Sequence, residues 1–208
     1  MTSPLQIKTT LKQWLITHRG HKPSDVFIEE LCIFEKNNRA DLVHANGALL
    51  GFEIKSAKDT LARWNAQHAA YQMVFDEVWL CCHSKHVVAA LQYEDKSTGI
   101  MAIDDFGGLA VLREAKKNNK IDPYQLACLL WRCELESLCS RSGIGFTRKD
   151  KVDTLRNMCV KHVSLEELKT EVLVRLKERY GDYNSSSAEA VLVLNPPVAS
   201  CSSSAQIC

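Results

Sequence analysis

The chain has 208 residues, of which 46% are hydrophobic and 25% are charged, so it can bury a sizeable core in one compact domain with an appendage. Its formal net charge of +1 excludes a general polycation, and no run approaches ~18 apolar residues, which excludes a transmembrane helix. Residues 1–4 lack the basic-then-apolar pattern of a signal peptide. We therefore expect a cytoplasmic protein with no membrane partner.

The nine cysteines raise the alternatives of a disulfide framework and a zinc site. There is no Cys-x-x-Cys pair, and an odd number of cysteines is typical of reduced, buried thiols in a cytosolic protein. Cys82 and His83 are adjacent, and neighbouring residues of a strand point to opposite faces, which argues against zinc there.

The first predicted elements are a helix and a β-hairpin. Ser3-Pro4 is typical of a helix start, and Gly20 can end that helix. Residues 39–45 and 49–55 alternate in polarity on either side of Asn46-Gly47, the strongest short-range hairpin signal.

The length of the hairpin loop decides whether Asp41 and Glu53 share a face. A two-residue turn would place them on opposite faces, because side chains alternate along a strand. A three-residue loop with Gly47 in a left-handed conformation pairs residue 44 with residue 48 and puts both carboxylates on one face. Asp41 then lies opposite Gly51 and diagonal to Glu53. We expect this odd-length loop, with the missing side chain of Gly51 leaving room for an ion.

A Glu-x-Lys tripeptide occurs four times in the sequence, at Glu53, Glu94, Glu114 and Glu167. Both charged side chains project the same way only on a strand, where residues i and i+2 share a face. Glu53-Ile54-Lys55 alone stands in an apolar alternating frame, so it is the tripeptide that predicts a site.

A helix is predicted to follow this strand, with Ser56 or Asp59 as its cap. Arg63, Gln67 and Tyr71 are spaced i, i+4, i+8 and form one polar stripe on it. Because the helix continues from the strand that carries Glu53, the stripe is expected to face the same cleft.

These residue types suit the hydrolysis of phosphodiester bonds. Two neighbouring carboxylates, Asp41 and Glu53, favour a hard divalent cation, Mg²⁺ or Mn²⁺. Lys55 can orient the attacking water or neutralise charge on the phosphate. Gln67 can hold a water or a phosphate oxygen, Tyr71 can orient either, and Arg63 can contact a backbone phosphate.

Asp41, Glu53-Ile54-Lys55 and Gln67-x-x-x-Tyr71 resemble the PD-(D/E)XK phosphodiesterase superfamily, in particular its branch with a Gln-x-x-x-Tyr helix, which includes RecB-type and lambda-exonuclease-like nucleases. The segment from residue 39 to residue 78 also looks like a group of small, largely uncharacterised bacterial and phage proteins. The resemblance implies a four-stranded mixed β-sheet of the restriction-endonuclease-like type, flanked by helices, and Mg²⁺-dependent cleavage of DNA. Ala40 stands where the superfamily name has proline.

The superfamily often adds an upstream acidic metal ligand. By resemblance Glu30 is the candidate for this position, with Glu29 and Glu35 as competitors.

Beyond the predicted site, strands are expected at 78–82, 100–103 and 109–112, with a short helix at 86–93 and a turn at Gly107-Gly108. Helices are expected at 123–140, 148–161 and 165–180. We therefore divide the chain into an α/β core (1–120), a C-terminal helical extension packed on that core (121–181), and a tail (182–208) whose serine triplets and prolines predict disorder.

Residues 113–180 carry 15 basic and 10 acidic side chains, whereas residues 1–112 carry 11 basic and 13 acidic ones. Four basic residues near Gly143-Ile144-Gly145 are therefore the expected phosphate contacts: Arg141, Arg148, Lys149 and Lys151.

The sequence thus predicts a Mg²⁺-dependent deoxyribonuclease in DNA repair or restriction, with Asp41, Glu53 and Glu30 as metal ligands. A non-catalytic DNA-binding or adaptor protein and an RNA-cleaving relative remain as alternatives. A homodimer and a helicase or repair partner both remain open, since the chain has no Gly-x-x-x-x-Gly-Lys loop of its own for ATP.

Overall fold

The computed structural model describes residues 4–33, 38–93 and 95–194, with side chains up to residue 181. The elements in chain order are α1 (Pro4–His18), β1 (Val26–Ile33), β2 (Asn38–Ala45), β3 (Leu49–Lys55), α2 (Trp64–Gln72), β4 (Glu77–His83), α3 (Val87–Gln92), β5 (Gly99–Ile103), β6 (Leu109–Arg113), α4 (Pro123–Ala127), α5 (Arg132–Arg141), α6 (Val152–His162) and α7 (Leu165–Leu194).

The six strands form one mixed sheet whose spatial order follows the sequence, β1-β2-β3-β4-β5-β6. β3 pairs with β4 and β4 with β5 in parallel, while the other pairs are antiparallel. Parallel neighbours need a crossover connection, which α2 and α3 provide. The predicted class, an α/β protein with a mixed sheet flanked by helices and a C-terminal helical region, is confirmed. The implied count of four strands is wrong, because antiparallel β1 and β6 extend the sheet at both edges.

Each face of the sheet is covered by a separate apolar layer. On one face, Ile7, Leu11 and Leu15 of α1 pack against a cluster that includes Phe52 and Trp79. On the other face, α2 and the C-terminal helices share one larger core with the sheet. All seven residues of β3 are buried because this strand has a neighbour on both sides and a helical layer on both faces.

The C-terminal helices differ from the prediction in two places. The helix expected at 123–140 is two helices, because Glu134 begins α5 by accepting a hydrogen bond from the Trp131 backbone N–H (2.6 Å). Arg179 donates to the Leu129 carbonyl at the break (2.7 Å). α7 continues to Leu194, beyond the predicted end at residue 180; one glycine, Gly181, costs a helix only about 1 kcal/mol. The disorder predicted for residues 182–208 stays a prediction. The rest of the tail, 195–208, lies outside the described residues.

α2 begins later than predicted, at Trp64, and neither proposed cap is used. Asp59 instead accepts hydrogen bonds from the backbone N–H and hydroxyl of Ser56 (2.8 and 2.5 Å), which forms a turn before the helix. Among the helices that the structure describes, none combines the length and the apolar character needed to cross a bilayer.

Candidate active site

The β2–β3 hairpin is closed at its loop and open at its other end. Ala45 pairs with Leu49 across a three-residue loop in which Gly47 has φ of +122°, so the expected odd-length loop is confirmed. The predicted register is wrong, since His44 pairs with Leu50 rather than with residue 48. The loop consists of residues 46–48 instead of the predicted residues 45–47.

This register places Asp41 directly across from Glu53 instead of diagonal to it. The ladder between the two strands ends at Leu42 and Phe52. Beyond that pair, the Ile54 N–H donates to the Asp41 side chain (Oδ2, 2.8 Å). A carboxylate thus takes the donor that a backbone carbonyl would have used, and the two strands separate around a cleft.

Gly51 does not make room for an ion beside Asp41, so that prediction is wrong. It lies opposite Val43, and a Cβ added there would be 2.3 Å from Cδ2 of Phe75. The glycine is required because the Phe75 ring occupies the space above it.

Glu53 is buried and accepts hydrogen bonds from three side chains. Its Oε1 accepts from the Lys55 ammonium (2.5 Å) and from the Gln67 amide (2.7 Å), and its Oε2 accepts from the Tyr71 hydroxyl (2.7 Å). β3 carries Glu53 and Lys55 on one face, and α2 brings Gln67 and Tyr71 down onto that face.

Lys55 is equally well held. Its ammonium lies between Glu53 and the Gln67 carbonyl oxygen (3.0 Å), and the side chain is 8% exposed. Buried charges of this kind persist only when they are paired and hydrogen-bonded. The network therefore fixes one ammonium and one carboxylate at the cleft floor.

Electrostatics distinguish Asp41 from the rest of this network. Burial, with the nearby charge of Glu53, raises the pKa of Asp41 to about 6. Burial and the same carboxylate raise the pKa of Tyr71 well above its ordinary value, so the phenol stays protonated and donates. The two carboxylates are therefore close enough to repel each other.

Glu30 lies in the wall of the cleft, and its backbone has φ of +56°, which is unusual for a residue other than glycine. Its carboxylate pairs with Lys8 of α1 (2.5 Å) and with Arg39 of β2 (2.6 Å). Glu29 is bound by Lys8 and Lys12 instead. The other competitor, Glu35, lies outside the described residues.

A cavity of about 530 Å³ brings most of the predicted site together. The predicted residues that line it are Glu30, Asp41, Glu53, Lys55, Arg63 and Gln67. Tyr71 is fully buried and supports Glu53 from behind. The sequence prediction missed Lys8 and Arg39, although the position of Arg39, two residues before Asp41 on a strand, was a usable signal.

The four basic residues predicted as phosphate contacts do not line this cavity. Arg141 at the end of α5 pairs with Glu171 of α7 (2.6 Å). Arg148, Lys149 and Lys151 are exposed in the α5–α6 connection. Their contact with phosphate stays a prediction.

A second polar cluster was not anticipated from the sequence. His21 and Asp25 of the α1–β1 connection meet His44 of β2. Burial lowers the pKa of His44 to about 4, which keeps its imidazole neutral. His21 and Asp25 are close in sequence, whereas His44 lies on β2, and the pairing of β1 with β2 brings it to them.

These features define the class of protein: it has an α/β fold with a charged cleft at the end of a hairpin, and two carboxylates lie in that cleft. The family described as Bacteriophage P4 protein cII matches residues 3–194, and the chain belongs to that family. It is 25% identical over 178 residues to protein cII of Enterobacteria phage P4, covering 84% of this chain and 67% of that protein.

A solved structure of a protein of unknown function from Silicibacter pomeroyi is similar over 69% of this chain and 94% of that one, with 16% identity and a TM-score of 0.42.

Proposed function

We propose that this protein is a metal-dependent nuclease that hydrolyses DNA phosphodiester bonds, with a fold of the restriction-endonuclease-like, PD-(D/E)XK type. One observation carries the proposal. Lys55, Gln67 and Tyr71 converge on Glu53 at the floor of a cavity, with Asp41 directly across the open hairpin. Surface charge pairs do not need such a buried, convergent arrangement.

The donor set fits Mg²⁺ or Mn²⁺. Asp41 and Glu53 would hold the ion through carboxylate oxygens, and Glu30 lies in the same cavity as a third. Burial and the charge of Glu53 both raise the pKa of Asp41, and a cation between the two carboxylates would offset both effects. Once bound, the ion polarises the scissile phosphate and makes a nucleophile available at neutral pH.

The side chains of the chain itself would position the reactants. The Lys55 ammonium, fixed by Glu53 and Gln67, would neutralise charge that develops on the phosphate and orient the attacking water. Tyr71 and Gln67 would keep Glu53 in place. Arg63, Arg39 and Lys8 line the same cavity and supply cations for flanking phosphates.

A non-catalytic DNA-binding protein is the second candidate, because Lys8 and Arg39 already pair with both oxygens of Glu30. In that case the cleft would bind phosphate without turnover. Cleavage of RNA in place of DNA would use the same side chains, so the choice of polymer must come from a substrate comparison.

The test is digestion of linear, circular, branched and single-stranded DNA, and of RNA, with Mg²⁺, Mn²⁺ or a chelator. Wild type is compared with Lys55→Met and with Lys58→Met, an exposed lysine three residues away. We expect metal-dependent DNA cleavage that falls by about 10²–10⁴-fold in Lys55→Met and is unchanged in Lys58→Met.

Cleavage that survives Lys55→Met would overturn the assigned role of the network. Folded wild type that binds DNA but cleaves nothing with either metal would favour the non-catalytic candidate. Preferential cleavage of RNA would correct the substrate.

A further inference from the structure

The cluster formed by His21, Asp25 and His44 has the dimensions of a metal site. One ring nitrogen of each histidine and one carboxylate oxygen of Asp25 lie within 4.8 Å of one another. His21 Nδ1 and His44 Nε2 are 3.0 Å apart. Two nitrogen ligands of tetrahedral zinc are separated by roughly 3.3 Å, so the histidine rings need to move only slightly to share an ion.

His44 is fully buried, and its Nε2 faces His21. Its other nitrogen, Nδ1, has no hydrogen-bond partner and would carry the proton if Nε2 bound an ion. The nitrogen of a neutral imidazole is also the commonest protein ligand for transition metals.

Aromatic packing holds both rings in position before any ligand arrives. Phe27 stacks on His44 with a centroid separation of 4.6 Å, and it stacks on His21 at 4.9 Å with an interplanar angle of 2°. Asp25 is also oriented, because its Oδ2 accepts from the Lys22 backbone N–H (2.7 Å). Such support is what tunes and positions the ligands of metal sites.

We propose that His21, Asp25 and His44 form a binding site for a divalent transition metal, with Zn²⁺ as the best match. Two imidazoles and one carboxylate favour zinc over the all-oxygen coordination that Mg²⁺ prefers. None of the three residues lines the cleft, so this site is separate from the proposed nuclease centre and does not depend on it.

The Lys177 ammonium of α7 would compete with a metal ion for the Asp25 carboxylate. Its ammonium donates to Asp25 Oδ1 (2.8 Å), and its side chain is 23% exposed, so it can turn towards solvent. A cation on Asp25 and the Lys177 ammonium repel each other. Metal binding should therefore release this contact between α7 and the α1–β1 connection.

The experiment is a titration of the full chain with Zn²⁺ by calorimetry and with Co²⁺ by visible absorption, with excess Mg²⁺ present to occupy the cleft. We expect one Co²⁺ per chain, a tetrahedral spectrum, and no thiolate charge-transfer band. His21→Ala should weaken Zn²⁺ binding by at least about tenfold, whereas Lys177→Met should tighten it. His162→Ala, which removes an exposed histidine of α6, is the matched control and should leave Zn²⁺ binding unchanged.

If an ion binds, two results would still overturn the proposal. One is wild-type affinity in both His21→Ala and Lys177→Met, with folding verified by circular dichroism. The other is a thiolate band, which would assign the ion to exposed Cys32 or Cys133. If no ion binds at all, the two histidines form a hydrogen-bonded pair and nothing more.

Discussion

The cleft and the C-terminal helical region are both rich in charge, but they use it differently. In the cleft, Lys55 and Glu53 are buried together and face a cavity. In the helical region, ion pairs join elements, as when Lys169 of α7 binds Asp76 before β4 (2.9 Å) or Arg141 of α5 binds Glu171. The charges of the cleft converge on a cavity, and those of the helical region join one element to another.

This difference explains why net charge was a poor guide to the site. The basic excess of residues 113–180 suggested phosphate contacts, yet much of it serves contacts between helices and sheet. The cleft belongs to the less basic part of the chain, where a few paired groups matter more than the total.

The largest expected effect comes from removing a buried side chain of α7 from the core. Leu168→Ala removes a fully buried side chain from the core that helices and sheet share, so we expect the free energy of unfolding to fall by about 2–5 kcal/mol. Urea denaturation measures this, with the partly exposed Val174→Ala as control. An equally small effect in both variants would show that α7 is not part of the core.

Gly51→Ala tests whether the strand below the cleft depends on Phe75. The added Cβ would meet the Phe75 ring at 2.3 Å, and we expect a loss of stability of about 1–3 kcal/mol together with lower cleavage activity. Gly145→Ala meets nothing within 4 Å and serves as the control. Equal melting temperatures for the two variants would show that the ring can move aside.

The Asp41→Asn variant tests the electrostatics of the cleft through the pH dependence of stability. The folded Asp41 carboxyl keeps its proton up to about pH 6, while in the unfolded chain it ionises near pH 4. Ionisation of Asp41 therefore lowers the free energy of unfolding progressively between about pH 4 and 6, and this loss is complete above pH 6. We expect Asp41→Asn to be more stable than wild type by about 1–2 kcal/mol at pH 8, with no difference below about pH 4.

Denaturation of both proteins across that pH range measures the difference. A difference in stability that stays constant with pH would mean that burial and Glu53 do not raise the pKa of Asp41. On the proposed function, cleavage by Asp41→Asn should be lost throughout, since a proposed metal ligand is removed.

The smallest expected effect concerns the basic surface of the α5–α6 connection. Lys149→Ala should change stability by less than about 0.5 kcal/mol, because the side chain is exposed. If this surface touches DNA, binding weakens slightly and the salt dependence of the affinity falls by about one unit. Unchanged DNA affinity at low salt would restrict nucleic-acid contacts to the cleft.

Local sequence patterns predicted much of the candidate site. Asp41, Glu53, Lys55, Gln67 and Tyr71 fall within one hairpin and the following helix, so strand alternation and helical spacing were enough to place them on a common face. The mixed sheet flanked by helices was what the resemblance to the PD-(D/E)XK superfamily implied.

The parts that were not predicted depend on contacts between distant segments. The hairpin register is set by packing on both faces, and Gly51 is required by Phe75, a residue of the α2–β4 connection. Arg39 and Lys8 meet at Glu30 only because α1 lies beside β1. The histidine cluster likewise needs the β1–β2 pairing, which no local pattern reports.

The long reach of α7 has a consequence for synthesis on the ribosome. Leu168, Val172 and Leu176 complete the core over one face of the sheet, and Lys177 pairs with Asp25, 152 residues earlier. Until α7 has emerged, that face of the nascent sheet remains uncovered, and its apolar side chains are available to chaperones or to other unfinished chains. The emergence of α7 therefore determines when this face of the sheet is protected from aggregation.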